Sequence, residues 1–190
     1  MTVPPTDTSH PDCIHRVVDC QWACPAHTDV PEYIRLIALG QFSDAYIVNR
    51  ESNVFPGILG RVCDRPCEPA CRRGRVEDKP RAICRLKRVA ADHKDDISSR
   101  LPVKKKKKNG RKVACIGAGP ASLTVANDLL PLGYDVVIFE QWDKPGGLMR
   151  TNIPAFRLPE TVLAEEIGYI EKMGAQIRYN SRIDSMRKLL

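Results

Sequence analysis

The stretch Gly60–Gly74, "GRVCDRPCEPACRRG", sets Cys63, Cys67 and Cys71 four residues apart. Pro66 and Pro69 stand between them, and Arg61, Arg65, Arg72 and Arg73 surround them. On a regular helix, positions i, i+4 and i+8 share one face. The two prolines argue against a regular helix, because each removes a donor and clashes with the preceding turn. The spacing therefore predicts turns and short helical pieces able to wrap around a bound group. Inert cysteines pack as small hydrophobes, and these polar, charged neighbours do not suit that reading. Disulfides, a metal ion or an iron–sulfur cluster remain, and the rest of the chain bears on the choice.

The chain has 190 residues and eight cysteines, enough length for one large or two small domains. The opening "MTVPPTDTSHPDC" has neither the basic start nor the apolar core of a secretory signal. No apolar run reaches the roughly 18 residues of a membrane span. The expectation is a cytoplasmic, reducing compartment, where clustered cysteines bind metal or do redox work more often than they form disulfides.

The net charge of +7 invites a nucleic-acid reading until it is located. Between positions 94 and 112, Lys94, Arg100, Lys104 to Lys108, Arg111 and Lys112 face only Asp95 and Asp96, and this segment accounts for the whole excess. No aromatics interleave with the lysines, so nucleic acid is not an expected partner. The segment reads as a solvated, self-repelling linker.

That linker, 96–110, separates two expected domains, 1–95 and 111–190. The first holds seven of the eight cysteines and reads as short helices. "DVPEYIRLIALG" has Asp29 as its N-cap, Ile34, Ile37 and Ala38 as its apolar stripe and Gly40 as its stop. "SDAYIVNRES" follows, capped by Ser43, and then "PRAICRLKRVAAD", with Ile83, Leu86, Val89 and Ala90 on one face. The second half alternates strand and helix in "RKVACIGAGPASLTVANDLLPLGYDVVIFE", continues with a helix "ETVLAEEIGYIEKMG" that buries Val162, Ile167 and Ile170, and ends on a strand "AQIRY". This is the opening of a parallel α/β sheet.

In "VACIGAGPAS", Gly117-x-Gly119-x-x-Ser122 follows the first strand, opens the helix, and is succeeded by Glu140 about 20 residues on, at the end of the next strand. Gly117 permits the tight turn, and Gly119 lets the backbone approach a pyrophosphate. The helix starting at Pro120 and Ala121 turns its free N–H groups to the anion. Glu140 would accept hydrogen bonds from an adenosine ribose and repel a 2′-phosphate. Ser122 stands in for the third glycine, and Cys115 reads as a core residue of the strand. Spacing alone does not separate FAD from NAD.

The cysteines of the first half are Cys13, Cys20, Cys24, Cys63, Cys67, Cys71 and Cys84. Repeated CxxxC spacing favours iron–sulfur over the shorter knuckles of structural zinc, and Cys24 precedes Pro25 as the last cysteine of a bacterial ferredoxin run precedes proline. At this point a resemblance enters. "CQWACPAHTDVPEYIRLIALGQFSDAY", "FPGILGRVCDRPCEPACRRG" and "AICRLKRVAAD" resemble the N-terminal iron–sulfur domain of the glutamate synthase small subunit and of dihydropyrimidine dehydrogenase. The resemblance implies a helical domain with two [4Fe-4S] clusters. It assigns Cys24, Cys63, Cys67 and Cys84 to one complete cluster, and Cys20 and Cys71, with Cys13 the available upstream cysteine, to the other. "GAGPASLTVANDLLPLGYDVVIFE" with "KPGGLMRTNIPAFRLP" resembles the family's FAD site, and it implies that Gly146, Gly147 and Leu148 run along the flavin.

Family members continue into a separate NAD(P)H-binding unit, and this chain has one glycine fingerprint. The expectation is a helical iron–sulfur domain followed by the first part of a Rossmann-like FAD-binding sheet. Together they would form an electron-transfer subunit or fragment within a larger NAD(P)H-dependent oxidoreductase, working with other subunits and not catalytic alone. The alternatives are an iron–sulfur docking subunit without flavin and a zinc-stabilised interaction module.

Overall fold

Helix α2 (Val30–Ala38) begins where Asp29 accepts a hydrogen bond from the Glu32 N–H at 3.2 Å, with Pro31 in the first turn, as expected of an aspartate N-cap. It ends at Leu39, before Gly40 turns the chain with φ +74°. The buried stripe is Val30, Tyr33 and Leu36, one register away from the expected Ile34, Ile37 and Ala38. Ile34 and Ile37 pack at the edge of the core, and Ala38 is exposed. The structure, a computed structural model, describes residues 18–102 and 108–189. It forms two compact units, Met1–Asp95 and Asp96–Leu190.

In the first unit α2 is preceded by the short α1 (Asp19–Ala23) and followed by α3 (Phe42–Ser52), α4 (Pro56–Val62) and α5 (Ile83–His93). Ser43 is not the cap of α3: Gln41 occupies that position, and the Ser43 hydroxyl pairs with Asp95, 52 residues on. A long-range partner outcompeted the local capping bond. Helices α4 and α5 lie backbone against backbone at Gly60, where a Cβ would stand 2.8 Å from the Arg88 Cα. Arg61 on α4 donates to Asp92 on α5 at 2.6 Å, and Arg88 donates to the same carboxylate. Tyr33 is wholly buried and donates its hydroxyl proton to the Ile83 carbonyl at 3.2 Å, tying α2 to the start of α5.

The second unit is a three-stranded parallel sheet in the order β1 (Lys112–Ile116), β2 (Asp135–Phe139), β3 (Gln176–Arg178). Helix α6 (Pro120–Leu129) crosses from β1 to β2, and α8 (Glu160–Lys172) precedes β3. The core carries Leu123 and Ala126 of α6, Ile138 of β2, and Leu163, Ile167 and Ile170 of α8. Leu163 takes the place expected of Val162, which is half-buried. Within the stretch expected to be linker, Ile97 and Leu101 are buried, and Lys108 pairs with Asp135 at 3.0 Å. Lysines 104 to 107 lie outside the described residues. Among the described residues no helix is long and apolar enough to cross a membrane.

Tyr33→Phe removes the hydroxyl that donates to the Ile83 carbonyl and is expected to destabilise the first unit by about 0.5–1.5 kcal/mol. Urea denaturation measures this, and an unchanged midpoint would remove the Tyr33–Ile83 bond from the account.

Candidate functional site

Four cysteines of the first unit sit at helix ends or in a turn, where backbone leaves its regular path and a side chain can turn inward. Cys24 is the C-cap of α1 and Cys63 the C-cap of α4. Cys67 lies in the turn between Pro66 and Pro69, and Cys84 in the first turn of α5. The 60–74 segment thus takes the broken path that its prolines imply: a helix end, turns, and a 3-10 turn over Arg72–Arg75.

These four thiols are linked pairwise through one neighbourhood. Cys63 and Cys84 hydrogen-bond to one another, and Cys67 feels the charges of both Cys24 and Cys63. Cys84 Sγ also lies against the carbonyls of Leu59 and Gly60 at 3.4 and 3.5 Å. Its backbone N–H donates to the Glu68 carboxylate at 3.0 Å, so the glutamate that follows Cys67 anchors the last cysteine of the group. The Arg65 N–H donates to Cys63 Sγ at 3.3 Å, and Arg65 takes a positive φ of 64° to do so.

These contacts separate the thiols electrostatically. The bond from Cys84, then the Arg65 N–H and the Lys87 ammonium, pull Cys63 down to about 5 against the opposing effect of burial. Burial, with the charges of Cys24 and Cys63, pushes Cys67 up to about 11. Cys84 is raised by its bond to Cys63 and by burial. Tyr33 is raised by burial and then by the charges of Cys67, Cys20, Cys84 and Cys24, so its phenol lies among both cysteine groups.

Cys20 and Cys71 form a second group. They line a cavity of about 210 Å³ together with Val18, Asp19, Arg72 and Arg73. Asp19 accepts from Arg72 at 2.8 Å and stands 3.7 Å from Arg75, which holds the start of α1 against the segment that follows Cys71. Burial, followed by the Cys71 charge, raises the Cys20 thiol. Cys13 lies outside the described residues. Among the described residues no three cysteine, histidine or carboxylate groups are placed as ligands of a single metal ion.

In the second unit a cavity of about 780 Å³ opens at the carboxyl ends of β1 and β2, lined by Gly117, Gly119, Pro120, Ala121, Glu140, Gly147 and Leu148 among others. This is where open α/β sheets bind ligands. Gly117 turns with φ +82° and donates its N–H to the Phe139 carbonyl at 2.7 Å. Glu140 is buried, and its two oxygens accept from the Ala118 N–H at 2.6 Å and the Trp142 N–H at 3.0 Å. The carboxylate thus braces the glycine loop from behind. Gly146 is buried behind the wall and donates to the Ala118 carbonyl at 2.8 Å. Gly147 meets Gly119 so closely that a Cβ would stand 2.9 Å from the Gly119 Cα. Ser122 hydrogen-bonds Cys115, joining α6 to β1 where the third glycine of the motif would allow close packing.

Sequence reasoning missed Lys87, Glu68 and Tyr33. The available signals were a cation on the apolar face of α5 three residues after Cys84, the carboxylate next to Cys67, and a tyrosine within the stripe of α2.

Two measurements check this geometry. In metal-free protein, a depressed pKa means that Cys63 stays thiolate until the pH falls through about 5. Its alkylation by iodoacetamide is therefore expected to hold a plateau down to that pH, while Cys67 reacts slowly at neutrality; an apparent pKa near 8.5, the ordinary cysteine value, would contradict it. Gly147→Ala forces both a contact and a positive φ, and is expected to destabilise the second unit by about 1–3 kcal/mol in urea denaturation.

Residues 11–98 match the family described as dihydropyrimidine dehydrogenase domain II, 4Fe-4S cluster, and residues 115–177 match an NAD(P)-binding Rossmann-like domain. The chain is 40% identical over 186 residues to the β subunit of an NADP(+)-dependent formate dehydrogenase from Moorella thermoacetica, covering 86% of this chain and 26% of the relative. It is 42% identical over 167 residues to subunit PreT of the NAD-dependent dihydropyrimidine dehydrogenase of Salmonella typhimurium, covering 86% and 40%. With the small chain of the NADPH glutamate synthase of Escherichia coli it shares 32% identity over 168 residues, covering 86% and 35%. The chain thus spans from about a quarter to two fifths of the length of these relatives. Residues 11–98 thus match a 4Fe-4S domain of the dihydropyrimidine dehydrogenase type, residues 115–177 match a Rossmann-like one, and the chain is homologous to part of these oxidoreductase subunits.

Proposed function

We propose that the chain is an electron-transfer element of an NAD(P)H-dependent oxidoreductase, with Cys24, Cys63, Cys67 and Cys84 holding one [4Fe-4S] cluster and the cavity of the second unit holding FAD. The observation that carries this reading is the electrostatic linkage of four thiols drawn from residues 24 to 84: Cys67 with Cys24 and Cys63, and Cys63 with Cys84. The donor set fits the group: four sulfur ligands, a backbone N–H aimed at Cys63, and a cation nearby. Cys20 and Cys71, in their own cavity, would serve a second cluster with Cys13.

The flavin, when bound, supplies the change from two-electron hydride chemistry to single electrons, and the clusters supply one-electron carriers. The chain's own residues do the rest. Gly117 and Gly119 let the backbone come close to the phosphates, the N-terminus of α6 offers unpaired N–H groups to the anion, and Glu140 holds the loop in that shape. A cavity of about 780 Å³ is within the 300–1,000 Å³ common for ligand sites. Other subunits of the complex would receive or deliver the electrons, in the cytoplasm.

Anaerobic quantification of iron, acid-labile sulfide and flavin tests the proposal. The wild-type chain is expected to be brown, and Cys24→Ser is expected to lose about four iron and four sulfide per chain while keeping its flavin. Iron and sulfide without flavin would instead identify a docking subunit. Zinc without sulfide would identify a zinc-stabilised module and end the redox reading.

A further inference from the structure

Lys87 is 5% exposed. It lies on the core-facing side of α5 with Ile83, Cys84, Ala90 and Ala91, one turn beyond Cys84. Lysines are almost never fully buried unless paired, because taking an ammonium out of water costs several kcal/mol. Among the described residues no carboxylate is within ion-pair distance of it. Its charge acts instead on three sulfurs, those of Cys63, Cys67 and Cys84. The acidic groups nearby act on single thiols: Asp64 on Cys63 and Glu68 on Cys84. Arg65 reaches Cys63 through its backbone N–H, and its own side chain is exposed toward Glu68. Lys87 is therefore the buried cation of this cysteine group, held on a helix face that would otherwise be apolar.

We propose that Lys87 is a positioning and potential-setting residue, whose fixed positive charge balances the anionic group held by Cys24, Cys63, Cys67 and Cys84 and raises its reduction potential. This rests on the cluster reading given above. A cluster bound by four thiolates is anionic and becomes more so when it accepts an electron. A permanent cation in a low-dielectric site stabilises the reduced form more than the oxidised one.

The test uses the full chain, reconstituted anaerobically, with redox titration followed by electron paramagnetic resonance. The signal is assigned to this cluster by its loss in Cys63→Ser. In Lys87→Met, close in shape but neutral, the ratio of reduced to oxidised cluster at a fixed potential is expected to fall at least tenfold, about 59 mV for a one-electron couple. Lys87→Arg keeps the charge and is expected to stay within a factor of three of wild type. Lys87→Gln is a second neutral variant, and it decides the question if the methionine variant does not fold. A neutral variant that assembles the cluster at the wild-type ratio would overturn the proposal while leaving the cluster reading intact. Folded neutral and arginine variants that both lack the cluster would also overturn it, since shape and not charge would then be the requirement. Absence of iron and sulfide from the wild-type chain would overturn the cluster reading itself.

Discussion

The first unit depends on a backbone contact between Gly60 and Arg88. With no Cβ at position 60, α4 settles onto α5 at a distance that any other residue would prevent. That approach puts Cys84 against the carbonyls of Leu59 and Gly60 and within hydrogen-bonding reach of Cys63, at the end of α4. The Arg61–Asp92–Arg88 ion pairs close the same interface, with the Arg61 side chain only 7% exposed. Burial acts against the charged form of Asp92, and the two arginines together outweigh it and hold the carboxyl below its usual range. Helix packing and sulfur geometry are thus one constraint: a shift of α4 along α5 would separate Cys63 from Cys84.

The second unit uses the same device. Gly147 against Gly119 brings the loop before the short helix α7 (Leu148–Thr151) onto the glycine turn. Glu140 then ties that turn to the end of β2 through the Ala118 N–H. A buried carboxylate costs free energy unless it is hydrogen-bonded, and two backbone donors meet that need without any ligand. The rim of the cavity is therefore built by the protein's own hydrogen bonds, and a nucleotide would find the loop already shaped, which lowers the ordering cost of binding.

Electrostatically the cysteines are not equivalent. One of a hydrogen-bonded pair is driven toward thiolate and the other toward thiol, and Cys67 is held protonated by burial and by its neighbours' charges. A thiol group arranged this way would release protons on binding metal, and a cation placed among the sulfurs lowers the cost of their all becoming thiolate. The Cys20–Cys71 pair has its own arginines, two of which are engaged by Asp19. The two groups thus differ in their surroundings, with a buried lysine near one and the ion pairs of Asp19 beside the other.

What the sequence by itself determined is local. The Asp29 cap, the turn at Gly40, the helix break imposed by Pro66 and Pro69, and the strand–glycine–helix motif around Gly117 all follow from interactions within a few residues. The structure has each of them where the chain chemistry puts it. Tertiary structure decided the rest. Ser43 was open to two partners, and Asp95, distant in sequence, displaced the cap. Which face of α2 is buried, Tyr33 with Leu36 or Ile34 with Ala38, turned on a difference of one residue in a helix with apolar side chains at 33, 34, 36, 37 and 38, where periodicity does not fix the centre of the buried face. That a lysine at position 87 lies among sulfurs could not be read from α5 alone. A cation is expected to seek water, and only the packing of α4, with its Cys63 terminus, shows what compensates it. Local rules follow from steric and hydrogen-bonding terms that act over one or two turns. Burial of charge and convergence of thiols depend on which distant surfaces meet, and that is settled only when the whole unit packs.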